Sequence, residues 1–234
     1  MKYRLIDKKL KYFIHRNLKK INYLYFEDFY KKKDTRFFGS NSQLSQDFLC
    51  AIVSEFKTNG TFIEFGATNG IDLSNTYSLK KYLKWKGILV EPVYSYYESL
   101  KKNRPESICC NKLVYSESNH EKTFYENNDL SISSLKKTKN AKPIKVKTIT
   151  LNDIFKINNI NYVDYLSIDT EGSEYLILKS FDFEKYSFNF LTVEHNYNFF
   201  KRRKIYQLLK SKGYKRIHQN FSFWDDFYTK KTLD

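Results

Sequence analysis

The residues able to do chemistry in this sequence gather at the ends of short apolar runs. After Phe62-Ile63 comes Glu64-x-Gly66-x-x-x-Gly70, an acid and two glycines in what reads as a strand-to-helix turn. Open α/β sheets bind ligands at such strand ends, and a glycine lets backbone approach the ligand closely. A dinucleotide site would use G-x-G-x-x-G to set a pyrophosphate on a helix N-terminus, yet Thr68 stands where the second glycine belongs. Glu64 strengthens the objection, because it would repel a phosphate and attract a cationic amino group, directly or through water. Glu91 ends the next apolar run, Ile88-Leu89-Val90, twenty-one residues after Gly70. An acid at that point can accept from two ribose hydroxyls, and Pro92 stops the strand and fixes the turn. A ligand with a nucleoside, a cationic amino group and no phosphate meets all of this, and S-adenosylmethionine is one.

A second group sits further along. Asp169 follows Tyr165-Leu166-Ser167-Ile168, and Glu194-His195 follow Leu191-Thr192-Val193. If those two runs are adjacent strands, Asp169 lies beside Glu194 and His195. Glu171 shares the side of Asp169 by strand alternation only if the extended geometry persists past Thr170. Such a crevice suits general-base catalysis by His195 or Asp169, or a divalent metal, with Asp169 and Glu194 as candidate ligands, that acidifies a bound hydroxyl. The plain structural alternatives are that Asp169 orders its loop, His195 is a satisfied loop residue and Glu174 favours a helix N-terminus. Near the C-terminus Asn220, Trp224, Asp225, Asp226 and Tyr228 suit a sugar pocket or, more commonly, the packing of an aromatic-rich hairpin.

Positioning these groups requires alternating strands and helices. The pattern predicts a helix over 43–57, a strand over 61–65, a helix over 75–84, a strand over 87–91, a helix over 94–103 and a strand over 107–110. That order implies a parallel, right-handedly connected sheet with helices on its faces. Residues 112–148 break the rhythm, with strand candidates at 112–116, 122–125 and 144–148 around a polar loop, and read as an inserted hairpin. The alternation resumes with a helix capped near Thr150, a strand over 162–168, a helix from Ser173, a strand over 188–194 and a helix over 199–212. A closing hairpin of 214–218 with 221–228 completes the chain.

With 234 residues the chain suits one well-buried α/β domain and a modest extension. No run of eighteen apolar residues occurs, and the N-terminus lacks the compact apolar stretch and cleavage site of a secretory signal, so a cytoplasmic location is the expectation. Cys50, Cys109 and Cys110 have no metal-site spacing and read as reduced, buried apolar residues. The formal charge of +15 invites a nucleic-acid partner, but it is mostly lysine in a chain also heavy in Asn, Ile, Tyr and Phe, as AT-rich coding would give. Residues 1–33 hold eleven Lys or Arg against three acids, a net +8. There Ile6, Leu10, Phe13, Ile14, Leu18, Ile21, Leu24 and Tyr25 make one apolar stripe on a basic helix, read as docking on the domain, with peripheral membrane contact as the alternative. The expected organisation is therefore an extension over 1–40 and a domain over 41–234.

The ordered motifs resemble the FkbM family of S-adenosylmethionine-dependent methyltransferases. They are Ser42-Gln43 with Gln46-Asp47, Phe62 to Gly70, Ser74-Asn75-Thr76, Trp85 to Pro92, and Asp169-Thr170-Glu171-Gly172-Ser173-Glu174. The resemblance runs from about Ser42 to Tyr228. It implies a Rossmann-like class I methyltransferase sheet of seven strands, mostly parallel with the last antiparallel, and methyl transfer to a hydroxyl of a sugar, glycan or related metabolite. Carried onto this chain, it makes Glu64, Gly66, Ala67, Asn69, Gly70, Glu91 and Pro92 cofactor contacts. Asn75 and Thr76 would meet the methionine carboxylate, and Gln46 and Asp47 would close over the cofactor. An RNA-directed enzyme is the competing reading, disfavoured because the strand before Asp169 ends in D-T-E-G and not the D/N-P-P-Y type expected for amino methylation of bases. A non-catalytic module on the same fold is a third, which the intact Glu64, Gly66, Gly70 and Glu91 set opposes.

Overall fold

The fold comes from a computed structural model, which describes residues 17–18, 20–26, 28, 39–127, 133–137 and 141–231. In chain order the strands among them are β1 (Thr61–Phe65), β2 (Lys86–Val90), β3 (Ile108–Cys110), β4 (Leu113–Val114), β5 (Glu121–Glu126), β6 (Lys142–Ile149), β7 (Tyr162–Ile168), β8 (Ser187–Glu194), β9 (Lys215–Ile217) and β10 (Asp225–Thr229). The main sheet has seven strands in the order β3-β2-β1-β7-β8-β10-β9, all pairs parallel except those of β10 with β8 and β9. β1 is followed by β2 on one side while β7 lies on its other side, so the chain changes direction across the sheet at β1, the kind of switch point where ligands bind. The mostly parallel α/β architecture expected from the alternation is present.

Both faces of the sheet are buried, which is why its strands read as near-continuous apolar runs. Ile63, Phe65, Ile88, Val90, Leu166, Ile168, Leu191 and Val193 enter one core cluster with Ile154, Ile177 and Ile205 from the helices Leu151–Ile157, Glu174–Lys179 and Phe199–Ser211. Phe62, Leu89, Tyr165 and Phe190 enter the other, with residues from Gln46–Val53, Tyr77–Leu83 and Tyr94–Asn103. Alternation leaves a polar row on this second face, because Glu64 pairs with Ser167 and Ser167 with Thr192. All three are buried.

Two helices are shorter than their apolar spacing predicts. Gln46–Val53 begins late because Ser45 takes a left-handed conformation and Asp47 folds the preceding loop onto itself, and left-handed Glu55 and Phe56 end it early. Tyr77–Leu83 begins after Ser74-Asn75-Thr76, which turns back to Glu64. The inserted hairpin is β5 and β6, paired antiparallel from Glu121 with Lys147 to Glu126 with Lys142. β4 adds to it in parallel through Leu113 and Val114. These strands share a small core of Val93, Leu113, Phe124 and Val146.

The N-terminal helix docks as expected, but of the stripe's last three members Tyr25 alone carries the contact. Ile21 and Leu24 are 49% and 52% exposed, whereas Asn22 and Phe26 are fully buried. Tyr23 stacks on Phe48 at 4.0 Å and Tyr25 on Phe221 at 3.7 Å. Asn22 Nδ2 donates to the carbonyls of Leu44 (2.9 Å) and Phe221 (3.0 Å). Ring stacking and two buried acceptors therefore set the rotation of the helix over its aliphatic pattern. Ile6, Leu10, Phe13 and Ile14 lie outside the described residues. Cys50, Cys109 and Cys110 are unpaired, the last two only partly buried. Among the described residues no helix is long and apolar enough to cross a membrane.

Candidate active site

Three central strands end level, and the fourth, β8, runs one residue further. Phe65 is in register with Val90 and with Ile168, and Ile168 with Val193. The next residue of each strand is Gly66, Glu91, Asp169 and Glu194, so the register itself sets one glycine and three acids in a row. All four line a cleft at the carboxyl ends of the strands. Gly66 is required there for a reason beyond the one inferred from spacing. A Cβ on it would lie 2.3 Å from the Asp169 carbonyl oxygen, and its φ is +70°. It lets β1 and β7 close on each other, besides presenting backbone to the cleft.

The expected cofactor residues divide into those that line the cleft and those that build its wall. Glu91 lines it, accepting from the Thr68 amide (2.9 Å) and the Val93 amide (2.8 Å). Burial pushes its carboxyl up to about 7 against those two hydrogen bonds. Pro92, Asn75 and Gln46 also line it. Glu64 reaches the cleft but is held from within, accepting from Ser74 Oγ (3.0 Å), the Asn75 amide (2.7 Å) and Thr76 Oγ1 (2.5 Å). Burial raises its pKa, while these donors and Arg104 oppose the rise. Its main work is thus to order the turn that presents Asn75.

Five expected contacts do not line the cleft. Ala67 is buried in a core cluster. Asn69 Oδ1 accepts from the Ile71 and Asp72 amides and closes the turn locally. Gly70 is small for packing, since a Cβ there would meet Leu100 Cδ1 at 2.5 Å. Thr76 is buried on Glu64. Asp47 accepts from Ser40 Oγ (2.6 Å), the Asn41 amide (2.9 Å) and Ser42 Oγ (2.7 Å), so it folds its own loop and does not line the cleft.

The second group of acids converges more tightly than strand alternation allows. Glu171 has a φ of 53°, so the extended geometry ends at Thr170, and this left-handed turn is what brings Glu171 back. One carboxylate oxygen from each of Asp169, Glu171 and Glu194 lies within 4.8 Å of the others. Burial and neighbouring carboxylates raise Asp169 to about 7 and Glu194 well above its usual range. Lys201 opposes both shifts. Its ammonium donates to Glu174 at 2.8 Å and stands 4.0 Å from Glu194. Glu174 also accepts from the Gly172 amide at 2.8 Å, the helix-terminus role expected for it. Asp225, opposite Glu194 in the β10–β8 pairing, accepts from Gln46 Nε2 at 2.6 Å. Burial, then Asp169, raises it to about 8.

His195 is not part of this group. It is buried yet does not line the cleft, because adjacent residues at a strand end diverge and Glu194 takes the cleft side. Its Nδ1 accepts from the Tyr197 amide (3.1 Å) and its Nε2 stands 3.9 Å from Asp226 Oδ1. Burial, aided by Arg202, Lys201 and Arg216, lowers its pKa to about 4. Asp226 is tied to Arg202 at 2.7 Å, and Tyr228 is core, so of the C-terminal group Trp224 reaches the cleft.

Sequence reasoning missed the apolar wall of Tyr96, Leu113, Val114 and Phe124. These come from the helix after Pro92 and from the inserted strands. The one available signal was the pair Leu113-Val114 soon after a strand end. Asn196 and Tyr197, also lining the cleft, follow Glu194 in a left-handed turn at φ 50° and 54°.

The family model of the methyltransferase FkbM domain matches residues 64–216. No curated protein matches the sequence. Among solved structures, methyltransferase FkbM from Methylobacillus flagellatus is similar with a TM-score of 0.44 and 14% identity, over 73% of this chain and 43% of that one. This chain therefore spans less than half of that protein's length. Precorrin-6y C5,15-methyltransferase from Geobacter metallireducens gives 0.47 and 7%, over 80% and 87% of the two chains. Aeropyrum pernix fibrillarin, in complex with natively bound S-adenosyl-L-methionine, gives 0.45 and 10%, over 80% and 74%.

Proposed function

Because the chain belongs to the FkbM methyltransferase family, we propose that it moves a methyl group from S-adenosylmethionine to a hydroxyl of a sugar, glycan or related small metabolite. The observation that carries this reading is the row of level strand ends, which sets Glu91 at one side of a cleft and the Asp169 crevice at the other.

The residues suit the cofactor. Each Glu91 oxygen has one amide donor and keeps a lone pair, enough for two ribose hydroxyls. Tyr96, Leu113, Val114 and Phe124 offer a flat base an apolar wall. Asn75 Oδ1 is buried without a partner among the described residues, an acceptor suited to an ammonium. The carboxylates favour a cationic ligand and would repel a phosphate. When bound, S-adenosylmethionine supplies an electrophilic methyl group on a sulfonium. The chain's part is to hold the acceptor oxygen in line at the crevice, and such positioning is worth several kcal/mol. The hydroxyl that loses its proton sits beside Asp169, Glu171 and Glu194, since His195 faces away.

The test is calorimetric titration of S-adenosylhomocysteine into wild type and Asp169→Asn, with labelled methyl transfer to a panel of sugars and glycans. Both proteins should bind within about threefold of each other, and wild type alone should transfer. A folded wild type that does not bind refutes the reading. Undiminished transfer by Asp169→Asn removes that residue from the chemistry.

A further inference from the structure

The crevice holds more acceptors than the protein supplies with donors. Glu194 is 6% exposed and its Oε2 has no hydrogen-bond partner among the described residues. Asp225, 5% exposed, likewise leaves Oδ1 without one among them. A buried acceptor left unpaired is costly, and a buried carboxylate more so. The missing partner must therefore be a donor or a cation. Lys201 is not that partner, because its ammonium is bonded to Glu174 at 2.8 Å and reaches Glu194 Oε2 only at 4.0 Å.

Geometry narrows the choice. Hard divalent cations take oxygen ligands at about 2.0–2.6 Å, so oxygens on opposite sides of one ion stand roughly 4–5 Å apart. One oxygen from each of Asp169, Glu171 and Glu194 lies within 4.8 Å of the other two. The left-handed turn at Glu171 is what brings the third oxygen in, and Asn196 Nδ2 donates to Glu171 Oε2 at 3.4 Å, orienting it from outside. The donor set is all oxygen, which selects against zinc and copper in favour of magnesium, manganese or calcium.

We propose that Asp169, Glu171 and Glu194 bind one hard divalent cation, which also takes the acceptor's hydroxyl oxygen. This purpose rests on the methyl-transfer reading; the site itself does not. Bound to the cation, the hydroxyl oxygen keeps its electron pair as its O–H bond breaks and the proton passes to water at the cleft mouth. That oxygen then forms the new carbon–oxygen bond while the carbon–sulfur pair goes to sulfur. Asp169 is then a ligand and not the base.

The experiment is titration of Mn²⁺ into the full chain, stripped with chelator and exchanged into buffer, read by calorimetry and by the electron paramagnetic resonance signal of free Mn²⁺. One ion should bind per chain. Glu194→Gln and Glu171→Gln should each weaken binding by about tenfold or more, with unchanged circular dichroism. Glu98→Gln, an exposed acid on the helix Tyr94–Asn103, should bind as wild type. Glu171 sits in a partly exposed loop, so its variant remains informative if Glu194→Gln misfolds. Wild type that fails to bind millimolar Mn²⁺, or variants that bind it undiminished, overturn the proposal. S-adenosylhomocysteine titrated into the same samples separates the two readings. Its binding without Mn²⁺ binding overturns the cation site alone, and Mn²⁺ binding without it supports the site while refuting the cofactor.

Discussion

Replacing Gly66 by alanine should damage the protein at the join between two strands, and the size of the effect follows from the geometry. The new methyl would lie 2.3 Å from the Asp169 carbonyl oxygen, where ordinary contact begins at 3.4 Å, on a backbone with φ +70°. The left-handed conformation costs alanine about 1–2 kcal/mol. Relieving the contact means moving the end of β7 by about 1 Å, and overpacking of this kind costs about 1–3 kcal/mol more. Gly213 isolates the first part, since its φ is +83° and a Cβ there meets nothing within 4 Å. Urea unfolding should therefore show a loss of about 1–2 kcal/mol for Gly213→Ala and about 2–5 kcal/mol for Gly66→Ala. S-adenosylhomocysteine affinity should fall by about tenfold or more in Gly66→Ala, as the end of β1 that presents backbone to the cleft is pushed from its place, and stay unchanged in Gly213→Ala. Equal stability losses in the two variants would refute the contact argument. Unchanged affinity in Gly66→Ala would refute the assignment of the strand-end row to the cofactor.

The remaining expectations concern charge. With Glu91 raised to about 7, the ionised acceptor form is lost as pH falls, so S-adenosylhomocysteine affinity should weaken from pH 8 to pH 6 and the dependence should flatten in Glu91→Gln. The same shift acts oppositely on the unliganded fold. A carboxyl raised from 4.5 binds its proton more tightly when folded, so its contribution is fully present below 4.5 and is lost as pH rises through 7, which pH-dependent urea unfolding measures. His195→Gln should leave methyl transfer within about threefold, and a hundredfold loss would show that the ring reaches the reacting atoms after all. Lys201→Met would strip the fully buried Glu174 side chain of its ammonium and should cost about 3–5 kcal/mol in unfolding experiments, whereas a loss below 1 kcal/mol would show the pair to be dispensable.

What could be read in advance depended on how local the cause was. β1, β7 and the helix Tyr94–Asn103 match their expected limits, because apolar runs and the punctuation of Gly60, Pro92 and Arg104-Pro105 act within a few residues. The acids of the row were legible for the same reason, each being the first polar residue after an apolar strand. Their alignment was not, since it depends on register between strands as distant in sequence as Phe65 and Ile168. Glu171 reaches the site expected for it through one left-handed angle and not through strand alternation, whereas His195 falls on the side of its strand away from the cleft. Most of the glycine turn was assigned to the ligand when packing against Leu100 and Asp169 explains it. The apolar wall stayed hidden because nothing near Leu113 or Phe124 records that β4 and β6 pair.

The docking of Asn22 bears on how this protein is handled and cut. Its one amide group bridges the Leu44 carbonyl before the first domain helix and the Phe221 carbonyl beside the last strand, fastening the opening and closing parts of the chain like a buckle. A shortened chain starting at residue 41, where sequence alone invites the cut, would leave both carbonyls without that donor and would uncover the rings of Phe48, Phe221 and Phe227. Bared ring faces seek one another, so the trimmed protein should self-associate more than the full chain does as its concentration rises.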